Sequence, residues 1–218
     1  MTHQDPAPLL IFPCNGNGLE ALECLGESWR CVGFVDDTPE KQASGAYGQR
    51  VFSREVLVDV PLTKVLAVPG SPSSYRARKH VIAGLQLETE RFARVIHPVA
   101  RISARATIGY NVLIMAGVVI TSNAVIGNHV CILPNTVIHH DAVIGDWTLV
   151  GSNVTVAGGC TVGQCCYIGS GSSLINGVRV DDGALIGLGS CVIRHVAKQT
   201  CVAGNPAKPL PPSLQPQH

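Results

Sequence analysis

The run Val137-Ile138-His139-His140-Asp141-Ala142-Val143-Ile144-Gly145-Asp146 holds the residues best suited to moving a proton. An imidazole titrates near neutrality, so it can accept a proton from an attacking amine or hydroxyl. A carboxylate beside it can fix the ring tautomer and stabilise the imidazolium. His139 and His140 both compete for the role of base, and a solvated surface histidine is the bland alternative for each. Neighbours on a regular strand point to opposite faces, so His140 and Asp141 converge only if the chain turns a corner there. The other histidines, among them His97, His129 and His195, do not form the three-ligand set of a zinc site. The nine cysteines form no metal pattern either, since Cys165-Cys166 is an adjacent pair rather than a C-x-x-C. An odd number of thiols without a secretion signal reads as reduced cysteine in a cytoplasmic protein. No metal is expected.

A six-residue beat positions these groups. Every sixth residue from Ile96 to Val192 is Ile, Val or Leu, as in Ile96, Ile102, Ile108, Ile114 and Ile120, and on through Val180, Ile186 and Val192. Four residues after each anchor comes a small residue, such as Ala106, Ala124, Ala142, Cys160, Cys166 or Ala184. This period is neither helical nor a simple strand alternation. It marks a solenoid in which each hexad is one short strand and a corner, with the anchor filling the interior and the small residue where the wall turns in. Gly often follows the anchor, as in Ile108-Gly109, Ile126-Gly127 and Ile144-Gly145, and is expected there to relieve tight turns. In this register His140 lies outside both inward columns. The phase breaks after Val192, and Val196 and Val202 restart it, which predicts a bulge over residues 194–199.

The spacing resembles the hexapeptide-repeat proteins. That resemblance implies a left-handed parallel β-helix of roughly six coils and side-by-side association into a homotrimer. Composition agrees with a solenoid: of 218 residues only 14% are charged and 5% aromatic, and Gly numbers 23. Net charge is +1 with no basic run, which gives no support for nucleic-acid or membrane-surface binding. No apolar stretch approaches a membrane span and no signal peptide is recognisable, so a soluble cytoplasmic protein without membrane insertion is expected.

Ahead of the solenoid the pattern changes. Strands are expected at Leu9–Phe12, Cys31–Val35 and Val65–Val68, and helices at Leu19–Leu25 and Ser71–Leu85. This alternation implies a small Rossmann-like α/β domain with a parallel sheet over residues 1–95. The solenoid domain follows over 96–208, with an irregular tail over 209–218. The loop Pro13-Cys14-Asn15-Gly16-Asn17-Gly18 after the first strand is where such a unit binds a phosphate, and Asp36-Asp37 ends the second strand, where a ribose or base edge would be read. The motif Gly16-x-Gly18 fits a tight strand–helix turn equally well.

An α/β domain with Gly16-x-Gly18 and Phe34-Val35-Asp36-Asp37, followed by hexads and a closing Ala203-Gly204-Asn205-Pro206-Ala207-Lys208, resembles the NeuD/PglD group of sugar acyltransferases. His140-Asp141-Ala142-Val143-Ile144-Gly145 matches that group's H-[DE]-x-x-I-G signature. The resemblance implies an acetyl-CoA-dependent N-acetyltransferase acting on the amine of a nucleotide-linked amino sugar, with His140 as general base and Asp141 as its partner. It implies acetyl-CoA, a co-substrate rather than a resident cofactor, at Gly158, Ser170, Gly187, Leu188 and Lys208, with the Gly158 N–H on the thioester oxygen. The nucleotide sugar falls to Gly16, Asn17, Gly18, Asp36, Asp37 and Gly70. With no activated Cys or Ser nucleophile beside His140, direct transfer in a ternary complex is expected. Pro13, Asn17 and Pro69 depart from the group's pattern. O-acetylation of a sugar such as sialic acid is the rival enzymatic reading, and a non-catalytic trimeric scaffold is the reading from another class.

Overall fold

The computed structural model describes residues 5–214. Four strands, β1 (Ala7–Phe12), β2 (Trp29–Val35), β3 (Val51–Phe52) and β4 (Lys64–Ala67), form a wholly parallel sheet in the order β3-β2-β1-β4. The three expected strands are present, and the short edge strand β3 joins them. Three short helices connect them, α1 (Gly16–Glu20), α2 (Pro39–Ser44) and α3 (Val56–Asp59), and α4 (Arg78–Ala83) follows β4. The two expected helices are shorter than predicted, because each is partly a 3-10 turn, at Ala21–Cys24 and Tyr75–Ala77.

Alternation along β1 decides how the sheet is sandwiched. Leu9 and Ile11 pack with Phe34, Leu66 and the solenoid residues Leu113, Met115 and Leu149, whereas Leu10 and Phe12 pack with Val35, Val65, Leu57 and Ile82 on the other side. Both faces are therefore covered, as a parallel sheet requires.

From Val95 onward the chain winds as a parallel β-helix of two-residue strands. Three flat faces result. Ile114, Ile132, Val150 and Ile168 stack on face 1, Ile120, Ile138, Val156 and Leu174 on face 2, and Ile108, Ile126, Ile144 and Val162 on face 3. The anchors and small residues form one continuous interior column, in which Ile132, Ile144, Val150 and Ala142 are fully buried. Each buried aliphatic contributes about 1.5–3 kcal/mol.

The α/β domain sits on face 1. Outward residues of that face, Leu113, Cys131, Leu149 and Cys201, are buried, while Thr107, Val125, Thr161 and Ser173 on faces 2 and 3 are exposed. Polar contacts fix the docking. The Asn111 amide accepts from Ala67 N (2.7 Å) and donates to Ala67 O (2.8 Å), capping the edge of β4 as another strand would. The buried Arg78 guanidinium donates to the carbonyls of Pro69, His129 (2.6 Å) and Trp147 (3.1 Å).

Three expectations change. The glycines following the anchors do not carry the turn. The left-handed residue stands two positions later, at Asn111, His129, Trp147 and Cys165 behind Gly109, Gly127, Gly145 and Gly163, and on the other corners at Asn123, Asn135, Asp141 and Asn153 and at Gly159, Gly171 and Gly177, with φ between 50° and 74°. Asn, Asp and Gly tolerate that region best. Gly127 is needed for close stacking instead, since a Cβ there would lie 2.3 Å from Asp146 Oδ1 of the next coil. Residues 194–199 do not bulge. Val196 pairs with Val180 and Val202 with Ile186, so that coil closes two residues short and stays on the stack. The tail expected to be irregular from Pro209 begins in order: Lys208–Pro209 pairs antiparallel with Val202 and Ala203, and Leu210 N donates to Cys201 O. The rest of that tail beyond Leu214 lies outside the described residues.

Candidate active site

His140 and Asp141 sit on the corner between faces 2 and 3, two and three residues after the anchor Ile138. The left-handed backbone of Asp141 (φ 59°) turns its side chain back onto its neighbour. His140 Nδ1 donates to Asp141 Oδ2 at 2.8 Å. The other carboxylate oxygen accepts from Asn123 Nδ2 at 2.9 Å, one coil earlier. These bonds, from His140 and then from Asn123, hold the Asp141 carboxyl below its ordinary value, so it stays ionised. An ionised acceptor fixes the proton on Nδ1 and leaves Nε2 free as a base. The side chains remain 61% and 56% exposed, which leaves that nitrogen open to a substrate.

Gly158 lies one coil further on, against the imidazole. A Cβ at Gly158 would stand 2.5 Å from both Cε1 and Nε2 of His140, so only Gly admits the ring in this pose. Among the described residues the Gly158 N–H donates to no protein acceptor, whereas its carbonyl accepts from Gly177 N at 3.0 Å. A free proton acceptor and a free N–H donor thus stand side by side. His139, the rival base, has no carboxylate partner among the described residues, and its N–H is tied to Val156 O.

Of the five residues expected to hold the acyl donor, Gly158 alone shares the corner of His140. Ser170, Gly187 and Leu188 lie on the corner between faces 1 and 2. There Ser170 Oγ accepts from Ser152 N (3.0 Å), Gly187 O accepts from Ser172 Oγ (2.9 Å), and Leu188 projects into solvent. Lys208 is exposed on the final antiparallel strand.

The six residues expected to meet a nucleotide sugar divide between two concavities. Gly16, Asn17 and Gly70 line one of about 380 Å³ between the α/β domain and face 1, where Gly151 and Tyr167 close the far wall. Asn17 Nδ2 reaches the carbonyls of Val68 (3.4 Å) and Gly70 (3.3 Å), tying its two loops together. Gly18 is buried behind them. Its N–H is taken by the cap Asn15, and a Cβ there would meet Pro13 O at 2.3 Å. Asp36 and Asp37 line a separate open concavity of about 560 Å³. Asp36 accepts from Lys41 Nζ (2.7 Å), Thr38 N (3.1 Å) and Cys14 N (3.2 Å). Burial alone would raise its pKa, but the bonds from Lys41 and Thr38 outweigh that and hold the carboxyl below the ordinary range. Asp37 is paired with Arg54 at 2.5 Å. The two acids thus clamp the loop after β1 and the start of β3's following turn.

The residues that sequence reading missed are Asn123 and Tyr167. Asn123 is legible once residues are counted by coil, eighteen apart, rather than by hexad.

A family model described as bacterial transferase hexapeptide (six repeats) matches residues 123–158, the segment that holds Asn123, His140, Asp141 and Gly158. No curated protein matches the chain. Solved structures do. The acetyltransferase domain of PglB from Neisseria gonorrhoeae FA1090 superposes with a TM-score of 0.79 at 24% identity, over 93% of this chain and 99% of that one. PerB from Caulobacter crescentus, in complex with CoA and GDP-perosamine, gives 0.80 at 24% identity over 95% and 99%. WeeI from Acinetobacter baumannii AYE gives 0.80 at 21% identity over 94% and 99%. The chain therefore carries bacterial transferase hexapeptide repeats over residues 123–158 and has, over 93–95% of its length, the two-part fold seen in the acetyltransferase domain of PglB, in PerB and in WeeI.

Proposed function

We propose that this protein is an acetyl-CoA-dependent N-acetyltransferase acting on the amine of a nucleotide-linked amino sugar. The observation that carries the reading is the His140–Asp141 pair with its free Nε2 beside Gly158. The fold it shares with PerB, whose structure holds CoA and GDP-perosamine, supports the substrate class. In the reaction the sugar amine attacks the thioester carbonyl carbon and His140 Nε2 takes the amine proton. Asp141 stabilises the imidazolium, the Gly158 N–H stabilises the developing oxyanion, and the carbon–sulfur bond breaks. The imidazolium then returns its proton to the departing thiolate, so base and product are both restored.

In this reading residues 1–95 hold the nucleotide sugar and 96–208 carry out the transfer, in a trimer whose neighbouring solenoids enclose the acyl donor. Gly16, Asn17 and Gly70 form the acceptor's anchoring wall, while Asp36 and Asp37 act by holding the loops that shape it.

The test is acetyl transfer from acetyl-CoA to UDP-, dTDP-, GDP- and CMP-linked amino sugars, read as acetylated product by mass spectrometry. His140→Ala is expected to remove turnover while leaving the thermal melt near wild type. Retained turnover would remove His140 as the base. Absence of both turnover and thermal shift with every nucleotide sugar would remove the acceptor class.

A further inference from the structure

Asn123 and Asp141 occupy the same corner position of successive coils, and both adopt the left-handed backbone, with φ 61° and 59°. That conformation alone favours Asn at position 123, so the residue type needs no functional cause. Its side chain does. Asn123 Nδ2 donates to Asp141 Oδ1 at 2.9 Å while Asp141 Oδ2 accepts from His140 Nδ1 at 2.8 Å. Stacking of left-handed asparagines does not force such a bond. Asn135 and Asn153 are also stacked one coil apart, on the corner between faces 1 and 2, and among the described residues they make no side-chain hydrogen bond to one another. The column also ends where it should for a relay. Below Asp141 the equivalent position is Gly159, and below His140 it is Gly158, so no side chain competes for the carboxylate or the ring.

We infer that Asn123 is a positioning residue for the base: its amide holds the Asp141 carboxylate in the rotamer that receives the Nδ1 proton of His140, leaving Nε2 to face Gly158. The inference rests on His140 being the base of the proposed reaction. At an exposed corner a carboxylate bonded through one oxygen can rotate toward water, and the imidazole then exchanges tautomers. A second bond, from the amide to the other oxygen, removes that freedom. His139 beside the ring and Arg105, one coil before Asn123, are the further titratable groups along the column, and the flanking positions otherwise present Thr121, Ser122, Ala157 and Asn176.

The experiment uses Asn123→Gly and Asp141→Gly, because glycine keeps the left-handed backbone at either site and removes the side chain alone. Asn123→Gly is expected to lower kcat about tenfold, the scale of one charge-assisted hydrogen bond, with KM for both substrates within about twofold. In the Asp141→Gly background the same change is expected to add nothing, because Asn123 acts only through the carboxylate. Nitrogen-15 NMR of the full-length protein supplies a readout independent of turnover. His140 is expected as a single Nδ1–H tautomer in the wild type and as a mixture in Asn123→Gly. Unchanged tautomer populations, or a loss that adds fully to that of Asp141→Gly, would overturn the inference. A wild-type protein that transfers no acetyl group, yet shows the tautomer shift on Asn123→Gly, would sink the proposed reaction and leave the positioning role standing.

Discussion

Substituting Gly158 by Ala separates the chemistry of the corner from its stability. The added Cβ would stand 2.5 Å from Cε1 and Nε2 of His140, and ordinary contact begins at 3.4 Å, so the ring must retreat by roughly 1 Å. It is free to do so because the His140 side chain is 61% exposed and its far face meets solvent. The backbone at 158 is not in the left-handed region, so Ala introduces no φ strain. Stability is then expected to stay within about 0.5 kcal/mol of wild type, the usual range of a surface change. Activity is expected to fall about 100-fold, because a displacement of roughly 1 Å at a reacting group costs on that order. The control is Gly48→Ala in the loop before β3, where φ is 73° and no atom lies within 4 Å of the added Cβ. That variant meets backbone strain without a clash, so it is expected to lose about 1–2 kcal/mol and keep its turnover. Steady-state kinetics and urea denaturation of the two variants test the contrast. Wild-type kcat in Gly158→Ala, or a stability loss of several kcal/mol there, would refute the reasoning.

Two further predictions concern the joint between the domains. His129 is buried beside Arg78, and burial, then the Arg78 charge, push its pKa down to about 4. Because the folded value lies below the unfolded value of about 6.5, stability is full above that pH and declines as pH falls toward 4; between pH 7 and 4.5 the loss is about 2–3 kcal/mol, measurable as a lower urea midpoint. Asp36 adds a loss in the same direction but lower down, as pH falls below the ordinary carboxylate value through its depressed folded value. Asn111→Ala strands both the N–H and the carbonyl of Ala67, and is expected to cost about 2–4 kcal/mol in urea titration; a loss below about 1 kcal/mol would count against Asn111 as the edge partner of β4.

Most of the solenoid was legible because its determinant is local. An anchor every sixth residue states the strand, the corner and the stacking at once, and Ile96 to Val192 follow it without exception. What escaped depended on contacts between coils. The glycines at 109, 127 and 145 looked like turn residues because turns commonly need glycine, yet their role is set by a side chain or backbone eighteen or nineteen residues away. The break after Val192 looked like a bulge because periodicity registers a missing pair of residues and an extrusion alike, and only the pairing of Val196 with Val180 separates them. In the α/β domain, Asp36-Asp37 read as free acids because sequence shows the carboxylates but not Lys41 and Arg54 folding back on them. The two-residue strand β3 is too short to leave a pattern.

The three corners of the coil also explain why the base stands where it does. On the corner between faces 3 and 1, the residue after the anchor is Gly109, Gly127, Gly145 and Gly163 in turn. Its lack of a side chain lets the next coil's polar side chain fold under the wall and take a backbone N–H. Asn128 takes that of Tyr110, Asp146 that of Asn128, and Asp182 that of Gln164. Ser170 does the same for Ser152 beside Gly151 on the corner between faces 1 and 2. These four N–H groups are satisfied within the wall. After the anchors of face 2 come Ser103, Thr121, His139, Ala157, Ile175 and Ile193, never Gly. The ladder of capped N–H groups is missing there, so His140 projects outward instead of under the wall, and the Gly158 N–H stays unclaimed. Among the described residues the hexads after the face 2 anchors carry none of these side-chain caps, and the corner they build is the one where an imidazole, a carboxylate and a free backbone donor converge.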